Sequence, residues 1–112
     1  MINVHPALLP AFKGLDTHVR AIAAGVRIHG ATVHFVVPEM DSGPIILQGA
    51  VSVHADDTAD ALAARVLAVE HRIYPAALRL VAEGRVHIAD GRCRIDGARA
   101  DDHILLAPTI DA

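Results

Sequence analysis

Asn3 and His5 stand two residues apart, and Asp41 lies in the turn-forming stretch Met40-Asp41-Ser42-Gly43-Pro44. An amide N–H can stabilise a developing oxyanion. An imidazole gives or takes a proton near neutral pH. A carboxylate beside that ring favours its charged form and can relay a proton. Together the three suit acyl or formyl transfer without a covalent enzyme intermediate. Singly, each has a plain alternative. Asn3, the only asparagine, can hydrogen-bond a loop, His5 can be a half-buried filler, and Asp41 can serve as a turn residue bonded to its own backbone.

These residues need elements to present them. Side chains alternate along a strand, so Asn3 and His5 share a face, roughly 7 Å apart. Pro6 ends the strand and holds His5 extended. The ends of strands are where open α/β sheets usually bind ligands. Residues 1–5 therefore read as the end of a buried strand, and residues 6–16 as a loop. Residues 17–24 read as a short helix, with Asp16 or Thr17 as N-cap and Gly25 as C-cap. Residues 31–37 are β-branched and apolar, a strand. Residues 38–43 form a loop, and residues 44–53 a further strand with a bulge expected near Gly49.

Asp56, Asp57 and Thr58 offer an N-cap and negative charge for a long helix that ends at Gly84. Its apolar residues Leu62, Val66, Val69, Ile73, Ala77 and Leu80 recur at steps of three and four, and Pro75 predicts a kink. Residues 86–88 and 93–95 flank Ala89-Asp90-Gly91-Arg92, a small hairpin. Residues 96–112 read as a weakly ordered tail carrying little that requires order.

The 112 residues suit one domain. Aromatics are only 3% of a chain that is 53% hydrophobic, so the core must be aliphatic, which fits α/β layers better than a β-sandwich. A net charge of -3 leaves no basic excess for phosphate backbones and argues against nucleic acid. No apolar run approaches the roughly 20 residues that span a bilayer. A single cysteine, Cys93, cannot form an internal disulfide, which fits the cytoplasm; it sits in the weakly structured part and reads as inert.

Eight histidines invite a metal, but no ligand spacing supports one, and none is expected. His18 lies on the short helix and His34 on the strand after it; either can line a site or be a satisfied structural residue. His29, His54, His71, His87 and His103 read as surface residues. Glu70 reads as a solvated helix charge within reach of Arg65 or Arg72.

Five blocks carry a resemblance. They are residues 3–10 (Asn3 to Pro10), residues 12–18 (Phe12 to His18), residues 30–36 (Gly30 to Val36), residues 41–48 (Asp41 to Gln48) and residues 70–75 (Glu70 to Pro75). In order and spacing they closely resemble the phosphoribosylglycinamide formyltransferase family, over residues 2 to about 96. The resemblance implies an α/β fold. The chain would be the C-terminal portion of a mainly parallel sheet, with flanking helices and a small terminal hairpin. It implies formyl transfer from 10-formyltetrahydrofolate, the cosubstrate, to the amine of glycinamide ribonucleotide in purine synthesis.

By resemblance Asn3, His5 and Asp41 match the catalytic residues. Pro38, Glu39, Met40 and Asp41 border the pterin with their backbone. Glu70 holds the ribose hydroxyls, and His18 and His34 lie near the nucleotide. Methionyl-tRNA formyltransferase and formyltetrahydrofolate hydrolase share the Asn-x-His and Asp loop and are the related alternatives.

The family also carries a half before the Asn-x-His motif, with a Gly-rich phosphate loop and part of the folate pocket. The expectation is therefore little or no transfer by these 112 residues alone. A competing reading is an inactive fragment that serves as an association module. An N-terminal strand that has lost neighbours also predicts self-association through that region.

Overall fold

The computed structural model describes residues 1–100 and 102–110. In chain order the elements are β1 (Ile2–His5), α1 (Thr17–Ala24), β2 (Ile28–Phe35), β3 (Ile45–Ser52), α2 (Ala59–Ala82), β4 (Val86–Ala89) and β5 (Arg92–Ile95). One sheet has the order β1-β2-β3, and β4 and β5 form a separate hairpin. The hairpin and α1 stand where the sequence places them. The strand expected over residues 31–37 instead starts at Ile28 and ends at Phe35.

Every strand pair among the described residues is antiparallel, which corrects the expectation of a mainly parallel sheet. The connection between β2 and β3, residues 36–44, is shorter than the dozen or so residues that a parallel crossover needs. The exit from β1 is folded straight back over β2. Thr32, fully buried in β2, donates its hydroxyl to the Ala7 carbonyl (2.7 Å) and accepts from the Leu9 amide (3.1 Å). Gln48 of β3 adds bonds to the same hydroxyl (3.0 Å) and to the Leu9 carbonyl (3.1 Å).

The bulge also sits elsewhere than expected. Val33 faces Leu47 and His34 faces Ile45, so Ile46 is the extra residue on β3. It turns into the core, where it is buried. Gly49 instead makes room for α2, since a Cβ there would come within 2.3 Å of Val69 Cγ1. Its bare backbone lets the helix lie close on the sheet.

α2 starts where Thr58 accepts a hydrogen bond from the Ala61 amide (3.1 Å), with Asp60 in the first turn. The helix runs on through Pro75, which lies on its exposed side. Leu62, Val66, Ile73 and Ala77 face the sheet and form the core with Ala21, Ala31, Val33 and Ile46. Asp57 anchors the approach to the helix. It pairs with Arg65 at 2.8 Å, and that bond holds its carboxyl well below the usual carboxylate range. The close packing at Gly49 has a measurable consequence. Gly49→Ala should lower stability by about 1–3 kcal/mol through overpacking against Val69. Urea denaturation should show a lower midpoint with an unchanged slope; an unchanged midpoint would mean that α2 can shift away freely.

Candidate active site

His5 closes β1 and is 6% exposed. Its Nε2 lies 2.8 Å from the Phe12 carbonyl, and its Nδ1 lies 3.5 Å from Asp41 Oδ2. A carbonyl and an ionised carboxylate both only accept, so the ring satisfies both when each nitrogen carries hydrogen. The two side chains meet in a nearly dry setting, where each polar interaction is worth more than in water.

Asp41 reaches His5 from the loop between β2 and β3. Its backbone is left-handed (φ 50°), a conformation that aspartate tolerates better than most residues. The same Oδ2 accepts the Gly14 amide at 2.8 Å, and the neighbouring Ser42 hydroxyl accepts from Lys13 Nζ at 2.9 Å. A strap of residues 12–16 therefore bridges the acid and the base. Phe12 (φ 53°) and Asp16 (φ 56°) are also left-handed, at a cost of about 1–2 kcal/mol each, so the contacts must hold the strap in place. Beside Asp41, a cavity of about 250 Å³ opens between Leu9, Pro10, Lys13 and Ile45.

Asn3 projects from the same face of β1 as His5. It is exposed, and its side chain makes no hydrogen bond among the described residues. Its partner in register is His34 on β2. His34 is buried; Nδ1 donates to the Phe35 carbonyl (2.9 Å), and Nε2 has no partner among the described residues. Pro38, Glu39 and Met40 are exposed on the rim. Glu70 sits half-buried on α2, and burial raises its carboxyl pKa, partly offset by the charges of His71 and His5. It pairs with neither arginine, since Arg65 is taken by Asp57. The structure thus brings His5 and Asp41 together, sets Asn3 and His34 side by side, and leaves Glu70 within electrostatic range of His5.

Residues 1–78 match the Formyl transferase family, well over half of the chain. The chain belongs to that family. Among curated relatives, the phosphoribosylglycinamide formyltransferase of Escherichia coli (strain K12) is 44% identical over 99 residues, covering 88% of this chain and 47% of its own. The trifunctional purine biosynthetic protein adenosine-3 of Homo sapiens is 51% identical over 90 residues, covering 80% and 9%. Among solved structures, glycinamide ribonucleotide transformylase 1 from Symbiobacterium toebii superposes with a TM-score of 0.83 at 55% identity, covering 84% of this chain and 44% of that one. A formyltetrahydrofolate deformylase from Pseudomonas syringae pv. tomato gives 0.81 at 35% identity, covering 84% and 32%. The chain spans less than half the length of each of these proteins.

Several positioning groups of this formyl transferase chain escape a reading by residue type. The Phe12 carbonyl and Gly14 amide are backbone atoms, and Thr32 looks like any strand threonine. His29 is a correction. It was expected at the surface, yet it is 1% exposed. Its Nε2 bonds His18 Nδ1 at 3.2 Å, and its ring meets Phe12 edge-on, so its polar atom is satisfied indoors. Cys93 likewise lies in β5, half-buried against the core rather than in a tail. Burial pushes its thiol pKa up.

Burial drives the His29 pKa down from 6.5 to about 4, and the charges of His18 and then His5 push the same way. The unfolded chain therefore takes up this proton first as pH falls. The stabilisation is complete above pH 6.5 and is lost between 6.5 and 4, on the order of 3 kcal/mol. His18, lowered by burial, adds in the same direction. Asp57 acts only below about pH 4, since its unfolded carboxyl titrates there. Denaturant midpoints measured at steps from pH 7 to 4 should fall, and His29→Gln should flatten most of that slope. A midpoint that stays level in the unsubstituted chain would contradict the neutral burial of His29.

Proposed function

We propose that this chain carries the catalytic centre of a phosphoribosylglycinamide formyltransferase. The reaction would move a formyl group from 10-formyltetrahydrofolate to the amine of glycinamide ribonucleotide. The carrying observation is the His5–Asp41 pair at 3.5 Å beside Asn3 on one strand face. The amine attacks the formyl carbon, and a carbon–nitrogen bond forms as the carbonyl electrons move to oxygen. The free Asn3 amide donates to that oxyanion, and doubly protonated His5 adds positive charge. Asp41 holds the ring and assists the proton's passage from the attacking amine to the folate nitrogen. That nitrogen then leaves with its bonding pair and the proton.

The backbone of Pro38, Glu39, Met40 and Asp41 would border the pterin, beside the cavity near Asp41. Glu70 would hold the ribose hydroxyls, with His18 and His34 on the nucleotide side. The single cysteine and the substrates fit the cytoplasm, and no helix among the described residues is long and apolar enough to cross a membrane. Formyltetrahydrofolate hydrolysis is the runner-up, favoured by the fold match to the deformylase at 35% identity. It would replace the amine with water.

The chain should be joined to the half of the Escherichia coli relative that it does not match, and assayed for formyl transfer. Turnover should appear with glycinamide ribonucleotide present and not with water alone. Asn3→Ala, His5→Ala and Asp41→Asn should each lower it about 100-fold or more while sparing nucleotide binding. A variant that turns over at the parent rate would remove that residue from the mechanism, and release of formate without the amine would favour hydrolysis.

We also infer self-association through β1. Among the described residues the strand is bonded on one side only, and it carries Ile2 and Val4 beside that edge. Light scattering of the chain across a dilution series should show dimers that dissociate. A monomer at every concentration, with Ile2–His5 amides well protected, would exclude that contact.

A further inference from the structure

We propose that Arg20 is a positioning residue for the His5–Asp41 pair and, resting on the formyl-transfer reading above, that it sets the rate of that step. Arg20 lies on α1 and reaches back over the strap. Its Nη1 donates to the Lys13 carbonyl (2.6 Å) and to the Leu15 carbonyl (3.0 Å). Its guanidinium carbon stands 5.6 Å from the centroid of the Phe12 ring. One side chain thus grips residues 12, 13 and 15 together.

The gripped residues are those that meet the site. The Phe12 carbonyl holds His5 Nε2, and the Gly14 amide holds Asp41 Oδ2, each at 2.8 Å. Little else holds the middle of the strap. Leu15 is 85% exposed, and Asp16 caps α1 in a left-handed conformation without a side-chain bond. The bond from Lys13 to Ser42 runs through a flexible exposed side chain. Phe12 and Asp16 are non-glycine residues at positive φ, so the strap relaxes unless something over-determines its shape. α1 is an independent base for the grip: Thr17 bonds the Pro6 carbonyl (2.6 Å) and Ala21 is fully buried in the core.

The chemistry asks for arginine. A planar guanidinium can lie over a ring and donate to carbonyls at once, and an ammonium is a point charge on a flexible stem. Arg20 is exposed, so its replacement leaves the core untouched.

The test compares Arg20→Ala and Arg20→Lys with the parent chain by amide hydrogen exchange and imidazole NMR. In Arg20→Ala, exchange at the Gly14 amide should speed up tenfold or more, and the His5 Nε2–H signal should move or vanish. Exchange at Val33 should stay unchanged. Arg20→Lys should resemble Arg20→Ala more than the parent. Unchanged Gly14 and His5 signals in Arg20→Ala would overturn the assignment. So would a lysine variant equal to the parent, since charge alone would then suffice, and so would equal acceleration at Val33, which marks general destabilisation.

In the fusion with the Escherichia coli half, Arg20→Ala should lower kcat about tenfold and leave KM within about twofold, as expected for a misplaced acid–base pair. A raised KM with unchanged kcat would overturn the role in turnover. If the unsubstituted fusion transfers no formyl group, the formyl-transfer reading fails, and the exchange and ring signals still decide what Arg20 does.

Discussion

The Thr32 hydroxyl is the constraint on which the site depends. A hydroxyl has one hydrogen to give and two lone pairs to fill. Thr32 uses all three, towards Ala7, Leu9 and Gln48, with no exposure to water. A buried hydroxyl that lost a partner would leave polar groups unsatisfied at about 1–3 kcal/mol each. The segment after His5 therefore cannot lift off β2. That fixes where the loop runs and brings Phe12 back to His5. β2 is thus both the centre of the sheet and the anchor of the loop that serves the site.

Two histidines close to this anchor meet opposite fates. His5 faces a carbonyl and a carboxylate, both acceptors. His29 faces His18 and the edge of Phe12, with no acid bonded to it among the described residues, and burial favours its neutral form. A positive charge on His29 would stand within range of His5 and oppose a second charge there. Phe12 takes part in both environments, its carbonyl bonded to one ring and its side chain packed on the other.

Much of this was legible in the residues, for definable reasons. α1 was bounded by Thr17 and Gly25, since Gly25 takes the left-handed turn that ends it (φ 73°). α2 announced itself by an N-cap and a three-and-four repeat. The hairpin followed from Asp90-Gly91, both left-handed in the structure. Asn3 and His5 were placed on one face by strand alternation alone. The direction of the strands was not legible, because periodicity says nothing about parallel or antiparallel pairing. The true start of β2 was hidden by Gly30, which breaks the propensity signal but sits where Gly49 and Ala50 approach closely. The burial of His29 is hidden from the sequence, since residue type alone cannot show a second histidine folded over it. The strap was invisible, since its working groups are main-chain atoms whose positions depend on folding.

The site divides into two kinds of dependence. His5, Asp41 and the strap between them are held by bonds among residues 5–48, through Thr32, Gln48, Gly14 and the Phe12 carbonyl. Glu70 belongs to α2, and its distance from His5 is set by how that helix lies on the sheet, above all at Gly49. A small shift of α2 would therefore move Glu70 relative to His5 while leaving the His5–Asp41 pair in place. Conversely, loosening the strap would disturb the pair without touching the helix. The acid–base geometry and the position of the proposed ribose contact are thus controlled by separate parts of one small core. Each can change without remaking the other, which is the mechanical basis for expecting rate and nucleotide affinity to respond to different residues.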